Sequence, residues 1–307
     1  MKSKLFLKVL KLGSAVGTAT LAGVCISNKI KVNFPNKFHL EAKDLDNNGI
    51  NNLYMGTGSK WDKDWDLRDP VSVVRKPKDD SVEKLAEYQK ELEKAKPKAS
   101  RILVLVRHGQ YNLSGTEDDE RYLTELGRKQ AALTGERLNL LFNEFLEPKK
   151  DDNGNVEKPR IRLVKSTMKR ATETGDIIHS HLPGLNIDSC DLIREGAPCP
   201  PDPPTDKWCP DPWDFFQEGS RIEAGFRKYF HRADPSQSET SVDILVCHGN
   251  VIRYFVCRAL QLDPAAWLRM SVHNGSITIL EIRPSGNVSL RQVGEAGHFP
   301  PQLLTFN

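Results

Sequence analysis

Two histidines stand directly after apolar runs that predict buried strands. The run ILVLV (102–106) leads into the triplet RHG, which contains His108, and DILVC (243–247) leads into His248. Loops at the carboxyl ends of strands line the crevice of an open α/β sheet, so we expect both imidazoles to face one pocket. A lone histidine is usually structural, whereas two at matched strand ends indicate shared chemistry.

Phosphoryl transfer is the chemistry that these histidines suit, together with Arg107 and Arg170. The reaction needs an in-line nucleophile and fixed positive charge around three equatorial oxygens, and guanidinium forks match phosphate oxygens. Burial and the two arginines are expected to lower the pKa of His108 and keep it neutral near pH 7. Arg170 alone could equally form a surface salt bridge with Glu173. No metal and no cofactor enters this scheme.

Glu195 is the candidate general acid, because a leaving alkoxide needs a proton. It precedes five prolines between residues 198 and 204, which stiffen a loop that has no regular secondary structure. Taken alone, Glu195 could equally be an ordinary surface acid. The glycine after His108 is expected to leave room for close approach of a substrate.

Strand and helix patterns alternate from residue 101 onward, which predicts an α/β fold with a mostly parallel sheet covered on both faces. The predicted strands are 102–106, 161–166, 185–189 and 243–247, followed by a hairpin of SITILEIR and NVSLRQVG. The predicted helices are 81–96, 123–146 (capped by Thr124), 168–182, 221–232 and 250–261. Residues 147–160 are predicted to form a solvated turn.

Six segments in this order resemble the histidine phosphatase superfamily, also called the phosphoglycerate mutase family. They are RHGQY (107–111), LTELGRKQA (123–131), KSTMKRATETGDII (165–178), REGAPCPPDPP (194–204), CHGNVIRYFVCRAL (247–260) and NGSI (274–277). The similarity extends over residues 60–303 and is greatest to a mitochondrial serine/threonine protein phosphatase branch of the superfamily.

The resemblance implies a role for each candidate residue. His108 falls on the phosphohistidine nucleophile and Glu195 on the proton donor. Arg107, Arg170 and His248 fall on the phosphate pocket, where His248 also takes part in catalysis. A three-layer α/β/α sandwich of the phosphoglycerate mutase type, without a metal, is implied as well.

The function implied by the resemblance is removal of phosphate from phosphoserine and phosphothreonine proteins, with stress-pathway kinases among the substrates. A small-molecule phosphatase or phosphoglycerate mutase is the first alternative. A mutase must retain a bisphosphate among extra basic residues, and the acidic, proline-rich loop 194–214 has few. An assembly scaffold with incidental catalysis is the second alternative. The formal charge of +3 is too small to indicate a nucleic-acid partner.

The N-terminal 31 residues contain six lysines and no acid, and enclose an uncharged run rich in Gly and Ala. This pattern predicts a single membrane anchor; a cleaved secretory signal or a buried helix are the alternatives. The resemblance implies a mitochondrial membrane, the outer one in preference to the inner. The expected organisation is therefore an anchor at 1–31, a linker with a charged helix at 32–97, and a catalytic domain at 98–307.

The segment WDKDWD (61–66) repeats Trp-Asp four residues apart, which on a helix would stack Trp61 over Trp65. Exposed tryptophans beside Asp62 and Asp66 are typical of an interface, although the patch could instead fold onto the chain's own core. The segment resembles WDxNWD, through which members of the same branch assemble. We therefore expect a homo-oligomer, with Asp64 in place of the Asn.

Six cysteines are scattered without CxxC spacing or a neighbouring histidine at metal-ligand spacing, which is typical of thiols in a reducing compartment. Cys199 and Cys209 lie in one proline-rich loop and could form a disulfide.

Overall fold

A computed structural model describes residues 60–79, 81–145, 149–150, 156–157, 159–206 and 208–306. The chain divides between Lys60 and Trp61, and the fold described here is that of the unit Trp61–Asn307. The predicted anchor at 1–31 and the predicted linker up to residue 59 lie outside the described residues. Within the described ranges, no helix is both long and apolar enough to cross a membrane.

Six helices and eight strands alternate along the described chain. The helices are α1 (Pro70–Val73), α2 (Val82–Ala95), α3 (Glu125–Phe145), α4 (Lys169–Ser180), α5 (Pro212–Tyr229) and α6 (Gly249–Ala259). The strands are β1 (Arg101–Arg107), β2 (Lys149–Lys150), β3 (Val156–Glu157), β4 (Arg160–Ser166), β5 (Asn186–Cys190), β6 (Ser241–Cys247), β7 (Ile277–Ile282) and β8 (Val288–Glu295). Short 3₁₀ helices lie at Asp118–Glu120, Asp191–Ile193, Pro264–Arg269 and Pro301–Leu303.

The main sheet has six strands in the order β5-β4-β6-β1-β7-β8. The first four are parallel, and β7 pairs antiparallel with both β1 and β8, so the predicted mostly parallel sheet is confirmed. Arg107 of β1 pairs with Cys247 of β6 in register. The residues that follow these two strands therefore lie side by side at one edge of the sheet.

Side chains alternate between two hydrophobic cores, one on each face of the sheet. On β1, Leu105 belongs to the core that contains Phe255 of α6, whereas Val104 belongs to the core that contains Ile178 of α4. Helices cover both faces, which gives the expected three-layer α/β/α sandwich.

Most predicted elements are confirmed to within two residues at each end, and two predictions differ by more. Thr124 caps α3 as expected, since its hydroxyl accepts the Gly127 N–H at 3.1 Å. The helix predicted at 221–232 begins nine residues earlier, at Pro212, because Asp211 accepts the N–H groups of the first turn. The turn predicted at 147–160 contains the short hairpin of β2 and β3.

The WDKDWD segment is part of the compact unit and is not helical. Residues 63–66 form turns, because the carboxylates of Asp62 and Asp64 accept local backbone N–H groups at 2.8 Å each. Trp65 is 7% exposed and donates its indole N–H to the Gly286 carbonyl at 2.8 Å. The expected stack of exposed tryptophans is therefore not formed.

The compact unit begins at Trp61, and the predicted start of the catalytic domain at residue 98 stays a prediction. Cys199 and Cys209 are free thiols, so the disulfide considered between them is not present.

Candidate active site

His108 lies buried at the end of β1 with its tautomer fixed by its neighbours. Its Nδ1 lies 2.8 Å from the Gly109 carbonyl oxygen, which can only accept, so Nδ1 carries the proton. Arg170 donates its Nε–H toward His108 Nε2 at 3.3 Å, so Nε2 presents its lone pair. A buried imidazole with an unprotonated Nε2 and a guanidinium beside it is arranged for attack on phosphorus once the substrate takes the place of this hydrogen bond.

His248 occupies the matching position after β6, where it is the N-cap residue of α6. The His108 and His248 ring centroids are 5.1 Å apart. His248 Nε2 lies 2.9 Å from Ser166 Oγ, whereas the buried Nδ1 has no hydrogen-bond partner among the residues that the structure describes. Nδ1 is therefore available to an anion held between the two rings.

Arg170 is 3% exposed and lies over the Tyr111 ring at 4.8 Å from the ring centroid. Its Nη1 is 3.6 Å from Asp118 Oδ1, which is an ion pair too long for a hydrogen bond. Glu173, the alternative partner considered from sequence, instead lies 3.0 Å from Arg128. Burial lowers the pKa of Arg170. An arginine side chain nevertheless stays protonated in proteins.

Arg107 is also buried, and its Nη1 donates to the Val272 carbonyl at 2.8 Å and the Phe306 carbonyl at 3.3 Å. Burial lowers its pKa to about 10, and the negative charge of Glu195 opposes this shift. Arg107 therefore contributes a fixed positive charge whose position is set by backbone carbonyls.

The pKa values of both histidines lie well below their ordinary value. Burial is the largest cause for each; Arg107 and Arg170 follow for His108, and His108 itself follows for His248. Both rings are therefore neutral at physiological pH, as a nucleophilic imidazole requires.

Glu195 is partly buried, and burial raises its pKa. Arg170 and Arg107 oppose this shift, and so does the Gly196 N–H, which donates to Glu195 Oε1 at 3.2 Å. A carboxyl group of raised pKa near Arg170 and Arg107 is suited to hold a proton and then release it.

Gly109 has a packing role that the sequence did not indicate. A Cβ at this position would lie 2.5 Å from the carbonyl oxygen of Gly127, in the first turn of α3. The glycine therefore permits close packing of two backbones, and its expected role in substrate approach stays a prediction.

Three further polar residues support the site and were not singled out as functional from the sequence. Ser166 ends β4 and contacts His248, and Asn274 donates its side-chain N–H to the His108 carbonyl at 3.3 Å. Asp118 accepts the Lys169 N–H at 3.0 Å and so joins its 3₁₀ turn to the start of α4. The positions of Ser166 and Asn274 in the sequence could have identified them, because Ser166 ends a predicted strand and Asn274 opens the NGSI segment.

The residues predicted for oligomerisation lie away from this cluster. The Asp62 N–H donates to Gln261 Oε1 at 2.7 Å, beyond the C-terminus of α6, whereas His248 lies at the N-terminus of that helix. Eleven helical residues span about 16 Å. The structure thus groups Arg107, His108, Arg170, Glu195 and His248, and separates them from Trp61, Asp62, Trp65 and Asp66.

The chain is similar to the profile of one protein family, to proteins of known function and to a solved structure. The profile of the histidine phosphatase superfamily (branch 1) matches residues 204–293, which include His248. The mitochondrial serine/threonine-protein phosphatase PGAM5 of Xenopus laevis is 48% identical over 246 residues, which cover 80% of this chain and 84% of that protein. Its counterpart in Homo sapiens is 47% identical over 245 residues, with 80% of each chain covered. A phosphoglycerate mutase structure from Plasmodium falciparum is 30% identical, with a TM-score of 0.45, and covers 68% of this chain and 99% of its own.

Proposed function

Because the chain belongs to the histidine phosphatase superfamily, within the PGAM5 group of serine/threonine-protein phosphatases, we propose that it dephosphorylates phosphoserine and phosphothreonine proteins through a phosphohistidine on His108. The observation that carries the mechanism is the environment of the imidazole. Nδ1 is tied to the Gly109 carbonyl, and Nε2 faces the Arg170 guanidinium at 3.3 Å.

In the first step His108 Nε2 attacks phosphorus, and the P–O bond to the seryl or threonyl oxygen breaks. Arg107 and Arg170 stabilise the charge on the equatorial oxygens, and His248 Nδ1 contacts one of them. Protonated Glu195 gives its proton to the leaving alkoxide. The products are the dephosphorylated side chain, a phosphohistidine and the Glu195 carboxylate.

In the second step water attacks the phosphohistidine and the N–P bond breaks. The Glu195 carboxylate accepts a proton from this water and is ready to act as an acid again. Inorganic phosphate leaves, and His108 returns to its neutral form.

We expect phosphoserine and phosphothreonine peptides to be dephosphorylated, and 3-phosphoglycerate to be neither hydrolysed efficiently nor isomerised. The acidic turn at Asp118–Glu120 beside Arg170 opposes retention of a small polyanion, which supports the protein substrate over the mutase alternative. Phosphate release and product analysis with both substrates measure the difference. Efficient conversion of 3-phosphoglycerate to its 2-phospho isomer would contradict the proposal.

The pH dependence of the phosphorylation step follows from the two pKa shifts. His108 must be neutral to attack phosphorus. Its lowered pKa keeps it neutral even at pH values below about 6.5, the ordinary pKa of histidine. Glu195 must be protonated, and its raised pKa keeps the proton to higher pH than in an exposed glutamate. Single-turnover rates with a phosphoserine peptide should therefore fall as pH rises through the Glu195 pKa, and Glu195→Gln should remove that decline. A rate that instead falls on acidification through pH 6.5 would show a protonating nucleophile.

We also propose that residues 1–31 anchor the chain in a mitochondrial membrane, the outer in preference to the inner, and that kinases of stress pathways are among its substrates. The mitochondrial names of the relatives and the lysine-flanked apolar run support the location. Carbonate extraction and protease treatment of intact mitochondria, with the chain starting at residue 32 as control, test the anchor and its side. The substrates are tested in cells that carry the inactive variant His108→Asn, where the phosphorylated form of the kinases should accumulate.

Homo-oligomerisation through residues 61–66 is a further part of this proposal. Of the four residues predicted for it, the exposed Asp62 and the half-buried Trp61 are accessible, since Trp65 and the Asp66 side chain are buried within the chain.

A further inference from the structure

The turn that supports Glu195 has little regular structure of its own. It leaves β5 at Cys190, makes one 3₁₀ turn at Asp191–Ile193, and continues to Glu195 in extended conformation from Arg194. Within the turn, the Arg194 N–H donates a hydrogen bond to the Asp191 carbonyl at 3.1 Å. Such a turn needs contacts from neighbouring elements to fix a carboxyl group within the tolerance of catalysis.

Arg221, on α5, supplies these contacts through one guanidinium group. Its Nη1 lies near the carbonyl oxygens of three turn residues, and its Nη2 donates to the Glu195 carbonyl at 2.9 Å. The three Nη1 distances are 3.2 Å to Asp191, 3.3 Å to Leu192 and 2.8 Å to Arg194. Four converging carbonyls are therefore held by a planar group whose geometry is rigid.

The guanidinium is itself oriented. Its Nε donates to Glu218 Oε2 at 3.1 Å, one turn earlier on α5. On the other side of the turn, Asn250 of α6 donates its side-chain N–H to the Gly196 carbonyl at 3.1 Å. The segment with Glu195 is thus clamped between two helices.

Helix α5 can approach the turn because two of its residues facing the loop are glycines. A Cβ on Gly219 would lie 2.4 Å from the Pro198 carbonyl oxygen, and one on Gly225 would lie 2.8 Å from the Leu192 carbonyl oxygen. This close approach brings Arg221 within hydrogen-bond distance of backbone on the far side of the turn.

We propose that Arg221 is a positioning residue for the proton donor, and that it acts through the backbone of the Glu195 turn without touching the substrate. This inference rests on the proposed role of Glu195. It implies that loss of Arg221 impairs protonation of the leaving group selectively, while attack by His108 and phosphate binding are retained.

Leaving-group dependence separates this role from general support of the fold. A seryl alkoxide requires a proton to leave, whereas 4-nitrophenolate is a stable anion and does not. A variant with a misplaced acid should therefore lose much more activity on a phosphoserine peptide than on 4-nitrophenyl phosphate. A variant with a damaged fold should lose both equally.

The experiment compares kcat/KM on these two substrates for the full-length chain and four variants. Glu195→Gln is expected to lose about 10²- to 10⁴-fold on the peptide and under about tenfold on the aryl phosphate. Arg221→Met, which keeps the stem and removes the donors, should show the same selectivity with a peptide loss of about 10- to 100-fold. Arg221→Lys should recover part of this loss, because an ammonium can reach some of the carbonyls.

Arg258→Met is the matched control, since Arg258 is a similarly part-buried arginine that binds Glu223 instead of the turn. It should change the two substrates by the same factor. Equal losses on both substrates for Arg221→Met, or for Arg221→Lys if the first variant does not fold, would overturn the inference. If Glu195→Gln itself shows no leaving-group dependence, the proposed proton donor is wrong, which is a distinct failure.

Discussion

Replacing His108 with asparagine should lower turnover of a phosphoserine peptide by roughly 10⁵- to 10⁶-fold, the range for loss of a covalent nucleophile. Asparagine has no lone pair able to replace Nε2, so the N–P bond cannot form. The arginines and His248 would still bind phosphate, so the peptide should still associate with the variant. We therefore expect the loss in kcat and not in binding.

The phosphoenzyme itself gives a second readout of the same substitution. Rapid quenching of the wild-type chain with ³²P-labelled peptide should give label on the protein that is stable in base and released by acid. His108→Asn should remove this label completely. His179→Asn is the matched control, because His179 is a part-buried imidazole on α4 that bonds the Leu185 carbonyl at 2.8 Å, outside the site. Label retained in His108→Asn would show that another residue is the nucleophile.

The sequence predicts that the two histidines lie together, because strand ends determine their position. Arg107 and Cys247 are paired in register on adjacent parallel strands, so the two histidines that follow them must lie together. The apolar runs before each histidine are long enough to identify as strands, and parallel neighbours place their carboxyl ends at one edge. These local patterns suffice for His108 and His248 without any knowledge of the remaining packing.

The sequence does not predict contacts that depend on packing between distant segments. Arg221 stands 26 residues after Glu195, and its four carbonyl partners cannot be inferred from side-chain patterns, because they are backbone groups. Gly109 likewise contacts the start of α3, which no spacing rule indicates. For the same reason, the paired tryptophans of WDKDWD were expected on a helix, whereas local carboxylates stabilise turns there.

Arg232→Met should lower the free energy of unfolding by about 3–5 kcal/mol, because it removes one partner of a buried ion pair. Arg232 is 1% exposed and lies 3.3 Å from Asp66 Oδ1, and the Asp66 side chain is fully buried. Methionine fills much of the space but leaves the carboxylate without a cation. Urea unfolding, followed by circular dichroism, measures the loss.

Substitutions on the other side of the same segment should act on assembly alone. Asp62→Ala changes an exposed residue whose local bond to the Asp64 N–H, at 2.8 Å, stabilises one turn. We expect the oligomer to dissociate, which lowers the sedimentation coefficient, while the free energy of unfolding measured in urea changes by under about 1 kcal/mol.

Trp65→Ala, by contrast, should lower the free energy of unfolding by about 3–5 kcal/mol. The substitution empties part of the core beside Phe226, whose ring centroid lies 6.1 Å from that of Trp65.

The two sets of variants decide whether the segment serves the fold of its own chain or the contact between chains. If Arg232→Met and Trp65→Ala left the unfolding free energy unchanged while the oligomer dissociated, residues 61–66 would have to pack against a second copy instead of their own core. If Asp62→Ala left the oligomer intact, the exposed side of the segment would not be the interface. The expected result is that burial in the chain's own core holds Trp65 and Asp66 in place, so that Trp61 and Asp62 are presented to a neighbouring copy in a fixed conformation.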